Sequence, residues 1–418
     1  MNTSKQDKYD VVVIGGGPAG IMSAIQAGSL GQSVVLIEKN NMLGKKFLMT
    51  GNGRCNLTNA EFNLRELVNN YNNGEFLYHA FSVFGPKETI NFFEKLGIKT
   101  KIEKNKRVFP ASGDAKDVLF ALQGCLKENN VKILFGWDVG SFDFKSKKIN
   151  KLILKNPEGT LEIKAKKYVL CVGGKSYPLT GSNGLGYNLI ENLGHSIVET
   201  MPALSPIEVK EVWVKDLQGL ALKDVKITLI QNGKKYATEE GEILFTHFGL
   251  SGPCVLNISG KAGDLLKKGE TKISIDIFPL LNQEKLLKLV EDILKKNSGK
   301  IILNSLSTFL PERLAEKVLD NLKIDKKIIT NNISKIEKRM MINNFKNVMI
   351  TVNDVKGFDF AMITRGGVSL KEIDDKTMKS KIISNLFFAG EVINVDGKTG
   401  GFNLQSCWST GYLAGTSE

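Results

Sequence analysis

The chain has 418 residues, of which 42% are hydrophobic, 24% charged and 8% aromatic, and this composition excludes collagen-like, disordered and coiled-coil proteins. A chain of this length is expected to form two or three packed modules. Its 57 Lys and Arg residues outnumber the 44 Asp and Glu residues, which gives a net charge of +13. A positive surplus of this size is compatible with a polyanionic partner.

The positive charge is unevenly distributed along the chain. Residues 1–195 carry 26 basic and 17 acidic residues, whereas residues 351–418 carry 7 and 8. Two dense basic stretches lie in the first of these segments, at Lys99–Arg107 and Lys145–Lys155. Each stretch is either a solvated face, in which the lysines reflect the base composition of the genome, or a surface for phosphate groups. The sequence leaves both interpretations open.

The five cysteines are widely spaced, and the closest two are 46 positions apart, so the chain has no cysteine spacing typical of zinc or iron–sulfur sites. We therefore expect no metal, reduced thiols and a cytoplasmic location. Residues 11–37 carry no charge, but glycines, Pro18 and Gln26 interrupt the apolar run. We predict neither a membrane span nor an export signal.

The first predicted elements form a strand, a glycine turn, a helix and a second strand. Residues 9–14 are a valine-rich run typical of a buried parallel strand. The motif G-x-G-x-x-G follows directly, in which Gly15 permits the tight turn, Gly17 lets backbone approach a pyrophosphate, and Gly20 lets helix and strand pack closely. The second strand ends in Glu38, a carboxylate placed to bind a ribose hydroxyl. This unit predicts a dinucleotide site without distinguishing FAD from NAD.

Two further segments favour FAD. Residues 44–59 form a glycine-rich loop with cationic and amide side chains, where an NAD-binding domain would normally continue into another helix and strand. Near the other end of the chain, a short apolar run at 386–389 leads into Gly390 and Glu391, and a second glycine-rich helix start follows. A strand ending in Gly-acid beside such a helix suits the ribityl chain and pyrimidine edge of a flavin.

The middle of the chain has a different pattern. From residue 206 onward, runs of alternating apolar and polar residues and an Asn-Gly turn predict antiparallel strands. Two amphipathic helices are predicted after them. We therefore predict a discontinuous FAD-binding domain formed by residues 1–195 and 352–418. A β-rich, barrel-like domain at 196–280 and a small helical cap at 281–351 are inserted into it.

Seven segments resemble, in order, the bacterial YhiN/BaiN-like (RdsA-type) family of FAD-dependent NAD(P)H oxidoreductases. They read GGGPAG, TGNGRCNLTN, VFPASGDAKDVL, VLCVGG, LFTHFGLSGP, TRGGVSLKEID and FFAGEVINVDGKTGGFNLQ. The resemblance spans residues 10–415 and implies an α/β fold with a Rossmann-like FAD-binding domain of the glutathione-reductase type. Three positions depart from the family pattern. Asn52 stands where the family often has a third glycine, and Cys407 and Trp408 replace small or aliphatic residues, so that Trp408 would alter the floor of the flavin pocket.

The motifs and the resemblance together predict the residues that bind FAD. They are Gly15, Gly17, Ala19, Gly20, Glu38, Lys39, Lys46, Gly53, Arg54, Cys55, Asn56, Val139, Gly173, Gly174, Gly390, Glu391, Gly401, Phe402, Asn403, Leu404 and Gln405. The sequence contains no second strand-linked nucleotide fingerprint, because GSNGLG at 181–186 has the wrong order of glycines. NAD(P)H is therefore expected as a transient electron donor.

Four residues are candidates for catalysis. Cys55 follows Arg54, and a cationic neighbour lowers the pKa of a thiol, so Cys55 is either a proton donor near the flavin or a small packing residue. His247, before a glycine-rich turn at 249–253, is either a substrate contact or a structural histidine. Arg365 either holds an anionic group of the substrate or pairs with a nearby acid.

The family resemblance implies reduction of a C=C bond conjugated with a carbonyl. Our first hypothesis is the reduction of uridine to dihydrouridine in 23S ribosomal RNA, with NAD(P)H as electron source and the RNA as partner. The second is a small-molecule flavoenzyme, either an ene-reductase or an amine oxidase. A third is a flavin-binding RNA or ribosome-assembly factor without turnover. The sequence leaves the oligomeric state open.

Overall fold

The computed structural model of the chain describes residues 7–418, which divide into two compact units. Unit 1 runs to Pro202 and resumes from Ala361 to Glu418, and unit 2 comprises Ala203–Phe360. The insertion therefore begins at 203 and ends at 360, whereas the sequence pattern placed its limits at 196 and 351. The early limit fails because residues 197–203 form a strand that pairs with a strand of unit 1.

Unit 1 contains a large mixed sheet, three small sheets and seven α-helices within its described residues. Its strands are β1 Asp7–Ile14, β2 Val34–Glu38, β3 Thr58–Asn59, β4 Tyr71–Asn72, β5 Thr100–Glu103, β6 Arg107–Pro110, β7 Lys132–Phe135, β8 Asp138–Lys145, β9 Lys148–Asn156, β10 Gly159–Leu170, β11 Ile197–Ala203, β18 Ile363–Val368, β19 Leu386–Phe388 and β20 Asp396–Gly397. Its helices are α1 Pro18–Ser29, α2 Leu64–Val68, α3 Tyr78–Val83, α4 Pro86–Lys95, α5 Ala115–Glu128, α6 Leu185–Asn192 and α12 Phe402–Thr416.

The large sheet has the strand order β7-β2-β1-β10-β9-β8, with β19 also paired to β10. Strands β7, β2, β1, β10 and β19 are parallel, and β8 and β9 form an antiparallel meander on β10. The register aligns Ile14 with Ile37 and Leu170, and Leu170 with Phe388. Four carboxyl ends therefore stop at one edge of the sheet, which is where ligands bind in open α/β folds.

Helices α1 and α12 pack closely on one another. A Cβ atom at Gly411 would lie 2.5 Å from the backbone oxygen of Ala19, so the absence of a side chain at 411 permits the approach. The hydroxyl of Ser23 donates to the carbonyl of Gly411 at 2.9 Å. This contact joins the first helix of the chain to the last, which explains why the flavin-domain pattern requires both chain ends.

Unit 2 contains a closed six-stranded barrel and five α-helices that lie between barrel strands in the sequence. Its strands are β12 Ile207–Val209, β13 Ala221–Gln231, β14 Lys234–Phe245, β15 Gly249–Ser251, β16 Lys272–Asp276 and β17 Val348–Val355, in the order β12-β15-β14-β13-β16-β17. Its helices are α7 Pro253–Leu266, α8 Gln283–Lys296, α9 Ile302–Leu306, α10 Glu312–Asn321 and α11 Lys335–Lys346. The helices α8–α11 lie between β16 and β17 in the sequence. Their apolar side chains belong to the same core as those of the barrel. The predicted β-rich and helical domains thus form a single unit.

The hairpin β13–β14 follows from its turn residues. Asn232 and Gly233 have φ values of 50° and 73°, as a tight two-residue hairpin turn requires. The second strand, β14, runs without interruption through Gly241, where its register with β13 shifts. Residues 249–251, expected to be a turn, form the barrel strand β15. Among the described residues, no helix is long and apolar enough to cross a bilayer.

We predict that Trp408 is a major source of stability in unit 1. It is fully buried, its rings meet Phe47 and Phe93 edge to face, and its Nε1 donates to the carbonyl of Leu57 at 2.9 Å. Trp408→Ala should destabilise the protein by about 3–5 kcal/mol. Trp408→Phe should cost about 1–3 kcal/mol, because the Leu57 carbonyl loses its donor.

Urea unfolding followed by circular dichroism measures both changes. Leu280→Ala is the control, since Leu280 is 89% exposed and its truncation should change stability by less than about 0.5 kcal/mol. A Trp408→Ala protein as stable as the control would contradict the prediction.

Candidate functional site

A cleft of about 350 Å³ opens at the carboxyl ends of β1, β2, β10 and β19, entirely within unit 1. Its walls come from the glycine turn after β1, the end of β2, the segments after β7 and β10, and the start of α6. The predicted FAD-binding residues that line it are Gly15, Gly17, Ala19, Glu38, Lys39, Lys46, Val139, Gly173, Gly390 and Glu391.

The glycine turn has the geometry that a dinucleotide requires. Gly15 has a φ of +105°, and a Cβ there would lie 2.3 Å from the carbonyl oxygen of Cys171. A Cβ at Gly20 would lie 1.9 Å from the carbonyl oxygen of Gly15, so this glycine permits the contact of helix and turn. A Cβ at Gly17 would meet nothing within 4 Å, which leaves that side of the backbone open for a ligand.

The amino end of α1 provides donors beside this turn. The first bond within the helix runs from the amide of Ile21 to the carbonyl of Gly17, so the amides of Ala19 and Gly20 precede the helical hydrogen-bond ladder. Pro18 at the first helical position has no amide to satisfy. A helix terminus with such donors and a positive dipole end suits phosphate.

Glu38 lies at the end of β2 and is only 8% exposed. Its Oε2 accepts from the amide of Gly16 at 2.8 Å, and its Oε1 accepts from the amide and side chain of Asn40 at 2.8 and 2.7 Å. These bonds hold the carboxylate in the cleft wall, and the two oxygens keep acceptor capacity for a ribose hydroxyl. Its neighbour Lys39 reaches Asn183 of the GSNGLG segment at 3.4 Å.

A polar network lies at the other end of the cleft. Lys46 and Glu391 form an ion pair with Nζ and Oε2 2.8 Å apart, and their side chains are 23% and 18% exposed. Ser176 contacts both charged groups, since its Oγ lies 3.1 Å from Lys46 Nζ and donates to Glu391 Oε1 at 2.9 Å. The buried hydroxyl of Thr364 lies 3.1 Å from Ser176 Oγ.

Sequence reasoning missed Ser176 and Thr364. Each lies within two positions of a predicted site residue: Ser176 comes two positions after Gly174, and Thr364 directly precedes Arg365. The only feature of the sequence that could have indicated them is a serine or threonine within a short glycine-containing segment, GGKS for Ser176 and TRGG for Thr364. Cys407, which was considered only as a departure from the family pattern, lines the cleft.

The loop at 50–56 turns back on itself beside β6. Arg54 pairs with Glu103, at 2.5 Å, and its guanidinium lies over the ring of Phe109 at 4.2 Å. Asn56, with its amide oriented to satisfy both ends, donates to the carbonyls of Thr58 and Val108 and accepts from the amide of Gly401. Asn52 has a φ of 58°, a conformation that asparagine tolerates better than most residues, which explains how it replaces a glycine.

The structure contradicts the basis of one of the two interpretations of Cys55, a proton donor whose thiol pKa is lowered by Arg54. Its side chain is fully buried in the core of unit 1, and this burial raises the pKa of the thiol well above its usual range. The neighbouring Arg54 does not lower it, because its charge is directed to Glu103. The alternative interpretation, a small packing residue, describes Cys55.

Residues at the start of α12 make contacts inside unit 1. Gln405 is fully buried, accepts from the hydroxyl of Thr58 at 2.5 Å and donates to the carbonyl of Phe84 at 3.1 Å. The carbonyl of Phe402 accepts from the hydroxyl of Tyr71, and Asn403 bonds both backbone groups of Gly397. The predicted residues outside the cleft lining are Gly20, Gly53, Arg54, Cys55, Asn56, Gly174, Gly401, Phe402, Asn403, Leu404 and Gln405.

Trp408 lies in the apolar core rather than in the cleft lining, so the expectation that it alters the floor of the pocket is wrong. Cys407, one position earlier on α12, faces the cleft instead. Burial and the nearby charge of Glu391 raise the pKa of Cys407 to about 12.

The remaining candidates lie apart from the cleft lining. His247 is exposed between β14 and β15 in unit 2, with its ring edge on Phe248. Arg365 is half-buried on β18 in unit 1. In the basic stretch at 99–107, Lys101 pairs with Glu103 and Lys106 pairs with Glu61. In the second stretch, Lys155 lines the cleft.

The parallel sheet, the glycine turn and the cleft beside it define a flavoprotein of the Rossmann type, in which the described residues fit FAD. The HI0933-like protein Rossmann domain matches residues 9–417, and the chain therefore belongs to the HI0933-like family of FAD-dependent oxidoreductases. The family resemblance and the fold class inferred from the sequence are both confirmed.

Two curated relatives extend over the full chain. The 3-dehydro-bile acid delta(4,6)-reductase of Clostridium scindens is 32% identical, over 96% of this chain and 97% of the relative. The ribosomal RNA dihydrouridine synthase of Haemophilus influenzae is 29% identical, over 97% of each chain. Among solved structures, the 3-ketosteroid-delta4-(5alpha)-dehydrogenase of Rhodococcus jostii RHA1 aligns with a TM-score of 0.57 at 13% identity, covering 100% of this chain and 98% of that one. This last likeness shows a shared fold.

Two glycine substitutions separate binding from folding. Gly17→Ala should leave the melting temperature of the FAD-free protein unchanged, because the new methyl group meets no atom within 4 Å. It should raise the dissociation constant of FAD by about tenfold or more, because the methyl group obstructs the approach of the pyrophosphate.

Gly20→Ala should instead destabilise the FAD-free protein by about 1–3 kcal/mol, since its methyl group overlaps the carbonyl of Gly15. Fluorescence titration with FAD and thermal unfolding measure the two quantities. Equal effects of both substitutions on stability would contradict the assignment.

Cys55 should resist alkylation in the folded protein. A raised pKa keeps the thiol protonated at pH 8.5, where an unperturbed cysteine is about half thiolate, and burial excludes the reagent. Iodoacetamide treatment with and without urea, followed by mass spectrometry of the peptides, measures this protection. Rapid modification of Cys55 in the native protein would favour the other interpretation, a proton donor near the flavin.

Proposed function

We propose that the protein reduces a C=C bond conjugated with a carbonyl group, with electrons from NAD(P)H passing through FAD. The observation that carries this proposal is the similarity, over nearly the whole chain, to two relatives with different substrates. Dihydrouridine forms when the C5=C6 bond beside a carbonyl of uracil is reduced, and a delta(4,6)-reductase acts on C=C bonds conjugated with a 3-keto group. One chemistry thus accounts for both names.

FAD supplies two-electron hydride transfer in such reactions. We assign the adenosine half of the cofactor to Glu38 and Val139, and the pyrophosphate to the turn at Gly15–Gly17 and the amino end of α1. The flavin half then falls to the part of the cleft lined by Lys46, Gly390 and Glu391. This order follows from the linear shape of the dinucleotide, because each anchored group determines where the next one lies.

Uridine in ribosomal RNA is the first candidate substrate. The relative of Haemophilus influenzae carries this activity in its name, and the net charge of +13 suits a polyanionic partner. The base would have to leave its stack to reach a flavin. Hydride would add to C6 of the uracil, and a proton to C5 would complete the reduction.

The basic stretches give this assignment only partial support. Within 99–107, ion pairs with Glu61 and Glu103 compensate two lysines, and the stretch belongs to the small sheet of β3, β5 and β6. Lys99 and Lys104 are exposed on the same hairpin. We propose that these lysines bind phosphates outside the cleft, while Lys155 acts at the cleft itself.

A small-molecule enone is the second candidate, because the relative of Clostridium scindens is 32% identical over nearly the whole chain and its name specifies a bile acid. In that case the positive surface is incidental to catalysis. His247 and Arg365 each remain a candidate substrate contact, beside a structural role for His247 and an ion pair with a nearby acid for Arg365.

Purified protein with NADPH or NADH, incubated with 23S ribosomal RNA lacking dihydrouridine, tests the first candidate. Nuclease digestion and mass spectrometry should detect dihydrouridine, and its formation should fall steeply between 50 and 200 mM salt, by roughly tenfold or more. The double variant Lys99→Glu, Lys104→Glu should weaken RNA turnover. Its rate of flavin reduction by NAD(P)H serves as the control and should be unchanged.

A different result identifies the alternative. Reduction of a 3-keto-4,6-diene steroid without any dihydrouridine, and without dependence on salt, would replace RNA by a small-molecule substrate. A flavin that stays oxidised for minutes in a stopped-flow mixture with NADH or NADPH would contradict both enzyme assignments and leave a flavin-binding RNA factor.

A further inference from the structure

The hydrogen bonds around Glu391 form a network in which each donor and acceptor has one consistent role. Thr364 Oγ1 accepts from the amides of Lys175 and Ser176 at 2.7 and 3.2 Å, so both of its lone pairs are engaged. Its own proton is then left for the oxygen 3.1 Å away, Ser176 Oγ. The direction of this bond follows from the backbone.

The next bonds are determined in the same way. Ser176 Oγ accepts from the hydroxyl of Thr364 and from Lys46 Nζ, and its proton therefore goes to Oε1 of Glu391, at 2.9 Å. The same carboxylate oxygen accepts from the amide of Thr364 at 2.8 Å, while Oε2 accepts from Lys46. Both oxygens of Glu391 are thus held from the protein side.

Close packing leaves this arrangement little freedom. Thr364 and Ser176 are both fully buried. A Cβ at Gly174 would lie 2.3 Å from Thr364 Oγ1 and 2.9 Å from Glu391 Oε1, so the network exists only because residue 174 has no side chain. Gly174 was predicted to bind FAD, and its contact is with the network behind the cleft wall.

We propose that Ser176 and Thr364 are positioning residues that hold Glu391 as a fixed counter-charge to Lys46, and that this pair sets the affinity and the reduction potential of the bound flavin. Both charged side chains line the cleft, whereas the carboxylate is oriented by two hydroxyls behind it. Charge close to a flavin tunes its electronics, and reduction adds negative charge to it. A fixed carboxylate therefore limits how strongly Lys46 can favour the reduced form.

The proposal makes a prediction about the order of potentials. Glu391→Gln removes the compensating charge and should raise the reduction potential of the bound flavin, whereas Lys46→Met should lower it. Thr364→Val keeps every charge but leaves two amides without an acceptor and Ser176 without its donor. The carboxylate then loses its fixed position, so the potential should lie between those of the wild type and Glu391→Gln.

Affinity should change together with the potential. Thr364→Val and Ser176→Ala should each raise the dissociation constant of FAD by about tenfold, because a carboxylate that is no longer held in place weakens the contacts of the Lys46–Glu391 pair with the flavin. Thr364→Ser keeps the hydroxyl and should restore both quantities. The matched control is Thr228→Val in unit 2, which removes another buried threonine hydroxyl, 3.2 Å from that of Thr238, in a unit that contributes no residue to the cleft lining, and it should change neither quantity.

FAD titration and equilibration with redox dyes measure affinity and potential on the full chain reconstituted with excess FAD. The inference rests on the flavin placement proposed above, but no substrate is present, so the outcome does not depend on which substrate the protein reduces. A wild-type chain that binds no FAD would contradict the proposed function, whereas unchanged values in the variants would contradict this inference alone. If Thr364→Val does not fold, Ser176→Ala provides the same comparison with Thr364 in place.

A merely structural role would lower stability and affinity while leaving the potential unchanged, and that result would overturn the proposal. So would a potential that falls in Glu391→Gln, or wild-type affinity and potential in both Thr364→Val and Ser176→Ala.

Discussion

The parallel register of four strands is the constraint on which the rest of this structure depends. Because β1, β2, β10 and β19 end at one edge of the sheet, residues from distant parts of the chain meet there: the glycine turn, Glu38, the segment after Leu170 and the Gly390–Glu391 pair. A slip of one residue in any of these pairings would exchange the side chains that pack on the two buried faces of the sheet and would move the strand ends out of line. The cleft is therefore a consequence of the same register that buries the sheet.

The two ends of the cleft use charge differently. At Glu38, backbone amides and Asn40 hold a single carboxylate in place. At Glu391, a carboxylate is paired with Lys46 and supported by two buried hydroxyls. A partly buried ion pair of this kind is costly to desolvate unless further hydrogen bonds satisfy it, and Ser176 and Thr364 provide these bonds. The positions of the charged groups in the cleft therefore depend on buried residues behind its wall as well as on the residues that line it.

Two relatives of about equal identity to this chain are named for different substrates, a bile acid and ribosomal RNA. The cofactor cleft is formed entirely by unit 1, whereas the barrel and helices of unit 2 have a separate apolar core. Substitutions in unit 2 therefore leave the residues that line the cleft unchanged.

The sequence alone determined the features that depend on short stretches of chain. The glycine turn, the acid at the end of β2 and the hairpin at Asn232–Gly233 were all predictable, because turn chemistry and periodicity are local. The tertiary structure decided the rest. Cys55 was judged by its neighbour in sequence, Arg54, but burial sets its pKa and Glu103 takes up the charge of that arginine. Ser176 and Thr364 are 188 positions apart, and only the folding of β18 against the segment after β10 makes them partners. Desolvation and contacts between distant residues exist only in the folded chain, and no pattern in a single sequence encodes them directly.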